Sequence, residues 1–288
     1  MTDHWIKREL LLLDLETDAP EPEQAHAIQA ALIHVRPGQE SYRREWLIQP
    51  RRDIPDGAVA VHKISTERAR AEGLAPEMAL AQIHAELHQR WHARNVLIGA
   101  NVCYDLTVLD SEFGRLLGTQ LLILGPVVDT LLLDTRLDKW RRGSRQLADT
   151  AKHYGVELTA AHDALADCEA AGRLAYKMVL RATRNQWPRP KWGRVDPTER
   201  HARALVASDD AVGLHDAQVL WHEEGQLGLA AYFRTPKAVA KVNERVAAGE
   251  LTREQGYARI ADLPAAADRA EATARGCWPL RPRVPVAT

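Results

Sequence analysis

A chain of 288 residues that is 45% hydrophobic and 27% charged has an ordinary globular composition, with length for one large domain or two smaller ones and a sizeable core either way. Its net charge of −1 says nothing about a nucleic-acid partner, so any basic footprint must be local. No apolar run approaches the ~20 residues of a membrane span, and MTDHWIKRE at the start holds no apolar signal segment, so neither membrane nor secretion is expected. Cys103, Cys168 and Cys277 form no CxxC pair, which predicts a reducing, cytoplasmic setting.

Glu9–Thr17 (ELLLLDLET) is a short apolar run bounded by polar residues and predicts a strand buried on both faces of a sheet. Ala27–Val35 and Tyr42–Ile48 predict two more strands, joined as a hairpin across Pro37-Gly38. Pro50–Ile64 reads as irregular. Ser65 or Thr66 caps a short helix that stops near Gly73. Pro76 opens a longer one to His92, whose apolar positions Met78, Leu80, Ile83, Leu87 and Trp91 share a face. Asn95–Ile98 is a core strand followed by a helix over Tyr104–Leu117. Val127–Thr130 is a strand entering a further helix. Ser144 caps a helix ending at Tyr154-Gly155, and an alanine-rich helix follows His162 to Arg181. Antiparallel strands first, then strands alternating with helices, predict an α/β fold with a mixed sheet and helices on its faces.

The composition shifts at Arg184. The expected organisation is one domain over 1–183, a basic Trp- and Pro-rich linker over 184–204, and a helical region over 205–288. Within the last, His215–Phe233 and Pro236–Ala248 predict helices, the second with Thr235 as cap, and Thr252–Gln255 forms a capping box. Pro279–Thr288 reads as a frayed end. Arg181, Arg184, Arg189, Lys191, Arg194, Arg200 and Arg203 surround Trp187 and Trp192; such a stretch can track a nucleic-acid backbone and stack bases, or it can be a solvated linker whose tryptophans pack on the first domain.

Along a strand Asp14 and Glu16 point one way and Leu15 the other. Two carboxylates on one face at the end of a core strand persist as anions only with a cation between them, so the stretch asks for a divalent metal and further ligands. Asp105, in LIGANVCYD, follows a core strand and opens a helix, where a side chain can project over the sheet edge. His162 and Asp167, in HDALADCEA, are separated by about 140° of helical rotation. They share a site if His162 sits on the entering loop and Asp167 a turn inside, and a loop histidine can serve as a base rather than a ligand.

These residues carry a resemblance to the DEDD 3′–5′ exonuclease superfamily, in the histidine subclass (DEDDh) and the branch of the proofreading epsilon subunit of bacterial DNA polymerase III. The motifs are LDLET with Asp14 and Glu16, NVCYD with Asn101 and Asp105, and HDALAD with His162 and Asp167. The tyrosine subclass would have its tyrosine where Asp163 stands. Ile48–Pro50, Ile54–Thr66 and Val127–Leu133 resemble connecting pieces of the family. Departures are Asp18 and Ala19 in place of small residues, Lys63 in place of glycine and Ala100 in place of histidine. The resemblance implies a ribonuclease-H-like mixed sheet flanked by helices, with a helical C-terminal extension. It implies metal-dependent hydrolysis at DNA 3′ ends that releases nucleoside 5′-monophosphates, with proofreading and a DNA polymerase partner among the roles. Asp14, Glu16, Asp105 and Asp167 are then the ligands of two Mg²⁺ or Mn²⁺ ions, held through oxygen. His162 is the general base, an imidazole ordinarily titrating near ~6.5. Leu15, Thr17 and Asn101 contact the terminal nucleotide.

An exoribonuclease uses the same chemistry, and a non-catalytic nucleic-acid-binding or polymerase-tethering subunit is the rival of another class. The intact carboxylate set argues against the latter, since binding needs no clustered acids. Asp105 can also cap its helix. His84, His88 and His92 recur every four residues and read as a solvated helix face, since no cysteine or carboxylate completes a zinc set. His62 reads as structural, and Asp110, Glu112, Asp129, Asp134 and Asp138 as surface or capping charges.

Overall fold

A computed structural model describes residues 4–159, 162–187, 195–274 and 278–280. β1 (Leu10–Thr17) is the middle strand of a five-stranded sheet. β2 (Ala27–Val35) and β3 (Tyr42–Leu47) run antiparallel on one side of it, as the hairpin around Pro37-Gly38 requires. β4 (Val96–Gly99) and β5 (Val127–Asp129) run parallel on the other, giving the order β3-β2-β1-β4-β5. Leu10 to Leu13 are all buried, because a central strand is covered on both faces and has no solvent side. The register with β2 shifts between Glu16 and Thr17, a bulge of the kind that re-aims side chains at a strand end.

Between the hairpin and β4 lie α1 (Asp56–His62), α2 (Thr66–Glu72) and α3 (Pro76–Arg90). Helix α1 falls inside a stretch expected to be irregular. It lacks a side-chain cap and ends on Lys63 in the left-handed conformation, φ 61°, so neither end carries a local sequence signal. Ser65 caps α2 by accepting a hydrogen bond from the Arg68 N–H. α4 (Val102–Glu112) follows β4 and widens into a π turn over 113–117. α5 (Thr130–Leu137) continues directly from β5, and Asp129 caps it. α6 (Leu147–Tyr154) starts later than expected: Gln146 is its N-cap, and Ser144 instead accepts the Gln146 N–H. α7 (Ala164–Thr183) packs along β1, β2 and β4. Gly172 permits that approach, since a Cβ there would lie 2.8 Å from Leu12 Cδ1.

Residues 197–207, part of which was expected as linker, form α8 (Pro197–Ala207), which packs on α7 and α5. Trp187 lies under the Arg203 guanidinium at 4.5 Å and that of Arg181 at 5.5 Å, so its face is occupied from within the chain. Trp192, Arg189, Lys191 and Arg194 lie outside the described residues. α9 (Ala211–Phe233) follows. The chain divides into two compact units, one reaching Gln218 and the other beginning at Val219. The second contains α10 (Pro236–Ala247) and α11 (Arg253–Ala274). Its small core joins Ala230, Phe233, Ala267 and Ala270. Thr235 sits at the N-cap of α10, but its hydroxyl donates to the Tyr232 carbonyl. Thr252 and Gln255 form the reciprocal capping pair. Among the described residues no helix is long and apolar enough to cross a membrane. Cys103 and Cys168 are buried and form no disulfide among the described residues; Cys277 lies outside the described residues.

Several acids expected on the surface are buried. Glu112 pairs with Arg51 and Arg115. The Asp110 carboxylate accepts the Leu121 N–H at 3.0 Å. Asp134 is fully buried between Arg141, whose Nε lies 2.9 Å from both carboxylate oxygens, and Arg145. Both arginines then bond loop carbonyls, Arg141 that of Ser144 and Arg145 those of Asp138 and Lys139. One carboxylate thus organises the loop between α5 and α6. Asp134→Ala is expected to cost about 3–5 kcal/mol in urea denaturation, because it strands two guanidinium groups. A loss below ~1 kcal/mol would mean that the arginines rehydrate freely.

Candidate active site

The first parallel-side strand ends and the helix starts beside them supply the acids. Asp14 and Glu16 come from the C-terminal end of β1, partly buried and buried respectively. After β4 the chain turns through Asn101 in the left-handed conformation, φ 62°, and this tight entry puts Asp105 in the first turn of α4. The Asp105 carboxylate is buried, and the backbone amides of Asp105 itself and of Leu15 partly favour its charge. Asp167 lies in the first turn of α7, whose N-cap Asp163 accepts the Ala166 N–H at 3.0 Å. His162, exposed and at φ 65°, stands on the entering loop and donates its backbone N–H to Asp167 Oδ2 at 3.2 Å.

These groups meet. A ligand atom from each of Glu16, His162 and Asp167 lies within 4.8 Å of the others. Burial, then the charges of Asp105, Asp167, Glu16 and Asp163, hold the Asp14 carboxyl well above the ordinary range. Burial and the neighbouring Asp167 and Asp163 push Glu16 up to about 7. Burial and the charges of Asp129 and Glu16 hold Asp105 high despite its N–H donors. Burial raises Asp167 to about 6, against the opposing pull of the His162 N–H and ring. Four acids this close destabilise one another as anions. Among the described residues no lysine or arginine pairs with any of them. Asp167 Oδ1 is buried without a hydrogen-bond partner. A set of carboxylate oxygens with an orphaned, inward atom and no basic partner fits a hard divalent cation.

Leu15 is buried between Asp14 and Glu16 on β1, and Thr17 is the last residue of that strand. Thr17 Oγ1 lies 2.5 Å from the Tyr104 hydroxyl, which also donates to the Ala19 carbonyl. Burial, and the charges of Asp105 and Asp18, push that phenol up to about 12, so it stays a donor at neutral pH. Asp18, which departs from the small residue common in the resembled family, is buried. Its carboxylate accepts Arg52 Nε at 2.6 Å, His26 Nδ1 at 2.8 Å and the His26 N–H at 2.8 Å. Burial alone would raise its pKa, but those bonds hold it well below the ordinary range. The charge thus locks the loop after β1 and does not project into the site.

Four residues that adjoin the cluster escaped sequence reasoning as members of it. Asp163 adds charge beside Glu16 and Asp14. Tyr104 bonds Thr17. Asp129 accepts the Asn101 N–H at 2.9 Å. Buried His62 uses Nδ1 to accept the Ile64 N–H, feels the His162 charge, and has Nε2 buried without a partner. Asp163 and Tyr104 directly adjoin motif residues, which was the available signal; Asp129 and His62 had none beyond their segments. The three histidines make no metal set among the described residues: α3 ends at Arg90, short of the expected His92; His84 meets Phe113 edge-on and His88 at a tilt, and His92 faces Glu9 at 3.6 Å. Among the described residues only the Glu16–His162–Asp167 group has metal-ligand spacing.

Residues 11–175 match the model of the family RNase_T, described as exonuclease. The chain is 28% identical over 171 residues to a DNA polymerase III PolC-type of Oceanobacillus iheyensis, a match covering 59% of this chain and 11% of that protein. It is 27% identical over 179 residues to the PolC-type polymerase of Halalkalibacterium halodurans, covering 62% and 12%. The chain thus spans little more than a tenth of the length of these curated relatives. Among solved structures, E. coli Exonuclease I in complex with a dT13 oligonucleotide aligns with a TM-score of 0.53 at 23% identity, over 62% of this chain and 42% of that one. That likeness establishes a shared fold, the ribonuclease-H-like mixed sheet flanked by helices.

Proposed function

The chain belongs to the exonuclease family, and from that premise we propose that it is a metal-dependent 3′–5′ exonuclease that works on DNA ends and releases nucleoside 5′-monophosphates. One observation carries the reading: Asp14, Glu16, Asp105 and Asp167, from three separate stretches, crowd together without basic partners beside an accessible imidazole. A structural role would pair such charges; these are left to a cation.

Asp14, Glu16, Asp105 and Asp167 would hold two Mg²⁺ or Mn²⁺ ions. Bound there, such ions stabilise the charge on a phosphodiester in transfer and lower the pKa of water. The chain's own groups do the rest. His162, on a solvent-facing loop, takes the proton from the water that attacks phosphorus. Its N–H bond to Asp167 sets the loop, so the ring stays within reach. Thr17, Leu15 and Asn101 receive the terminal nucleotide. Tyr104 holds the Thr17 hydroxyl in place for that contact. The likeness to PolC-type polymerases supports a primer terminus as the substrate and a polymerase as the partner.

Digestion of 3′-labelled single-stranded DNA, duplex DNA and RNA with Mg²⁺, Mn²⁺ or EDTA tests this. Nucleoside 5′-monophosphates from DNA, absent in EDTA, are expected. A preference for RNA would make it an exoribonuclease, and binding without cleavage in every case would make it a non-catalytic subunit.

Stability in the absence of ions should report the same crowding. Folding raises Glu16 from 4.5 to about 7 and Asp167 from 3.8 to about 6. For acids raised in this way, the unfolded chain gives up its protons first, so the native state loses stability as pH climbs through that window. In EDTA the melting temperature should therefore rise when the pH is lowered from 8 to 6. Added Mg²⁺ should raise it more at pH 8 than at pH 6, where protons compete for the same oxygens. Scanning fluorimetry showing the opposite slope would mean that the carboxylates are compensated from within.

A further inference from the structure

β5 is an outer strand, and among the described residues no sixth strand covers its free edge. Unpaired edge groups are costly when buried. Here α9 supplies their partners with side chains. The Val127 N–H donates to His215 Nδ1 at 3.1 Å, the Val127 carbonyl accepts Gln218 Nε2 at 3.0 Å, and the Asp129 N–H donates to Gln218 Oε1 at 2.8 Å. The Gln218 side chain is fully buried and also donates to the Leu214 carbonyl at 3.1 Å. Gln218 lies in the first compact unit, yet beyond residue 175, where the exonuclease match ends.

The strand that Gln218 grips ends in Asp129, and Asp129 is the hub of the second motif. Its Oδ1 accepts the N–H groups of Leu131 at 2.8 Å and of Asn101 at 2.9 Å. The Asn101 bond holds a non-glycine residue in the left-handed conformation, which costs about 1 kcal/mol without support. That conformation sets where α4 begins and hence where Asp105 projects. Thr130 reinforces the join by donating to the Gly99 carbonyl at 3.2 Å. The hydrogen bonds run unbroken from α9 through Asp129 to Asn101, and α4 carries the placement on to Asp105.

We propose that Gln218 is a positioning residue for Asp105, so that a helix outside the exonuclease match takes part in assembling the ion site. The proposal rests on the metal-dependent reading above. It makes two distinguishable demands: loosening Gln218 must free the Asp129 amide, and it must weaken ion binding.

The test uses the full chain with Gln218→Met, which keeps length and loses all three side-chain bonds. Mn²⁺ titration by calorimetry, without DNA, is expected to show roughly tenfold weaker binding, the low end for residues that act behind a ligand. Amide exchange at Asp129 and Asn101 should accelerate. On single-stranded DNA kcat should drop about tenfold, with KM within about twofold. Gln218→Glu separates positioning from mere stability. A buried glutamate keeps its proton, so it can accept from the Asp129 N–H and donate to the Val127 carbonyl as the amide does. It should recover most of the Mn²⁺ affinity. Leu80→Ala, a buried α3 variant that takes no part in this chain of bonds, should lower the melting temperature and leave Mn²⁺ affinity unchanged. Wild-type affinity in Gln218→Met, the same loss in Gln218→Glu, or an equal loss in Leu80→Ala would overturn the assignment. A wild-type chain inert on every polynucleotide would overturn the exonuclease reading instead, and the Mn²⁺ titration and amide exchange would still decide this one.

Discussion

Asp14→Asn should abolish cleavage and, in EDTA, make the protein more stable than its parent. The two effects have one cause. Asp14 sits among Asp105, Asp167, Glu16 and Asp163, and burial with those charges holds its carboxyl above the ordinary range. An amide of the same shape removes one charge from the crowd, which should stabilise the ion-free fold by about 1–3 kcal/mol, one to two pKa units' worth for neighbours relieved of repulsion. It also removes an oxygen anion at the centre of the proposed ion site. Losing several kcal/mol of charge stabilisation corresponds to a rate loss of about 10³-fold or more. Single-turnover assays on labelled DNA and urea titration with and without Mg²⁺ check both halves. Retained Mg²⁺-dependent cleavage would place the ions elsewhere; lowered stability in EDTA would show that the Asp14 carboxylate is an anchor rather than a strained ligand.

His162→Asn should slow turnover by about 10²- to 10⁴-fold, the range of a lost general base. Asparagine is the informative replacement, since His162 occupies φ 65° and asparagine tolerates that conformation where alanine would add strain. The backbone N–H that Asp167 accepts survives the change, so the carboxylates keep their support. Mn²⁺ affinity and KM should therefore move little, and added imidazole should restore part of the rate. A Mn²⁺ affinity that collapses as it would for Asp14→Asn would recast His162 as a ligand, in keeping with its reach to Glu16 and Asp167. Unchanged turnover would remove it from the chemistry.

Asp18 illustrates how a departure from a family pattern can be structural. An acid one residue from Thr17 invites a role in the pocket. It is instead clamped by Arg52 and His26, and its low pKa means that its contribution persists through neutral pH and fades only in acid, below the ordinary carboxylate value of 3.8.

Sequence by itself determined the buried central strand and the shared side of Asp14 and Glu16, because the period of a strand is two and four leucines leave no solvent face. It also determined the entry of His162 and Asp167, since a loop and a first helical turn follow from spacing and capping within a few residues. Helix α1 was hidden because both its ends lack local signals. What only the tertiary structure decided is who meets whom at long range. Asp18 finds Arg52, Glu112 finds Arg51, and Gln218 closes the edge at Asp129. A buried charge or amide looks like a surface one in the sequence, because its partner comes from a segment brought near only by folding. Burial then turns each such residue from an indifferent polar group into one whose pairing is worth several kcal/mol.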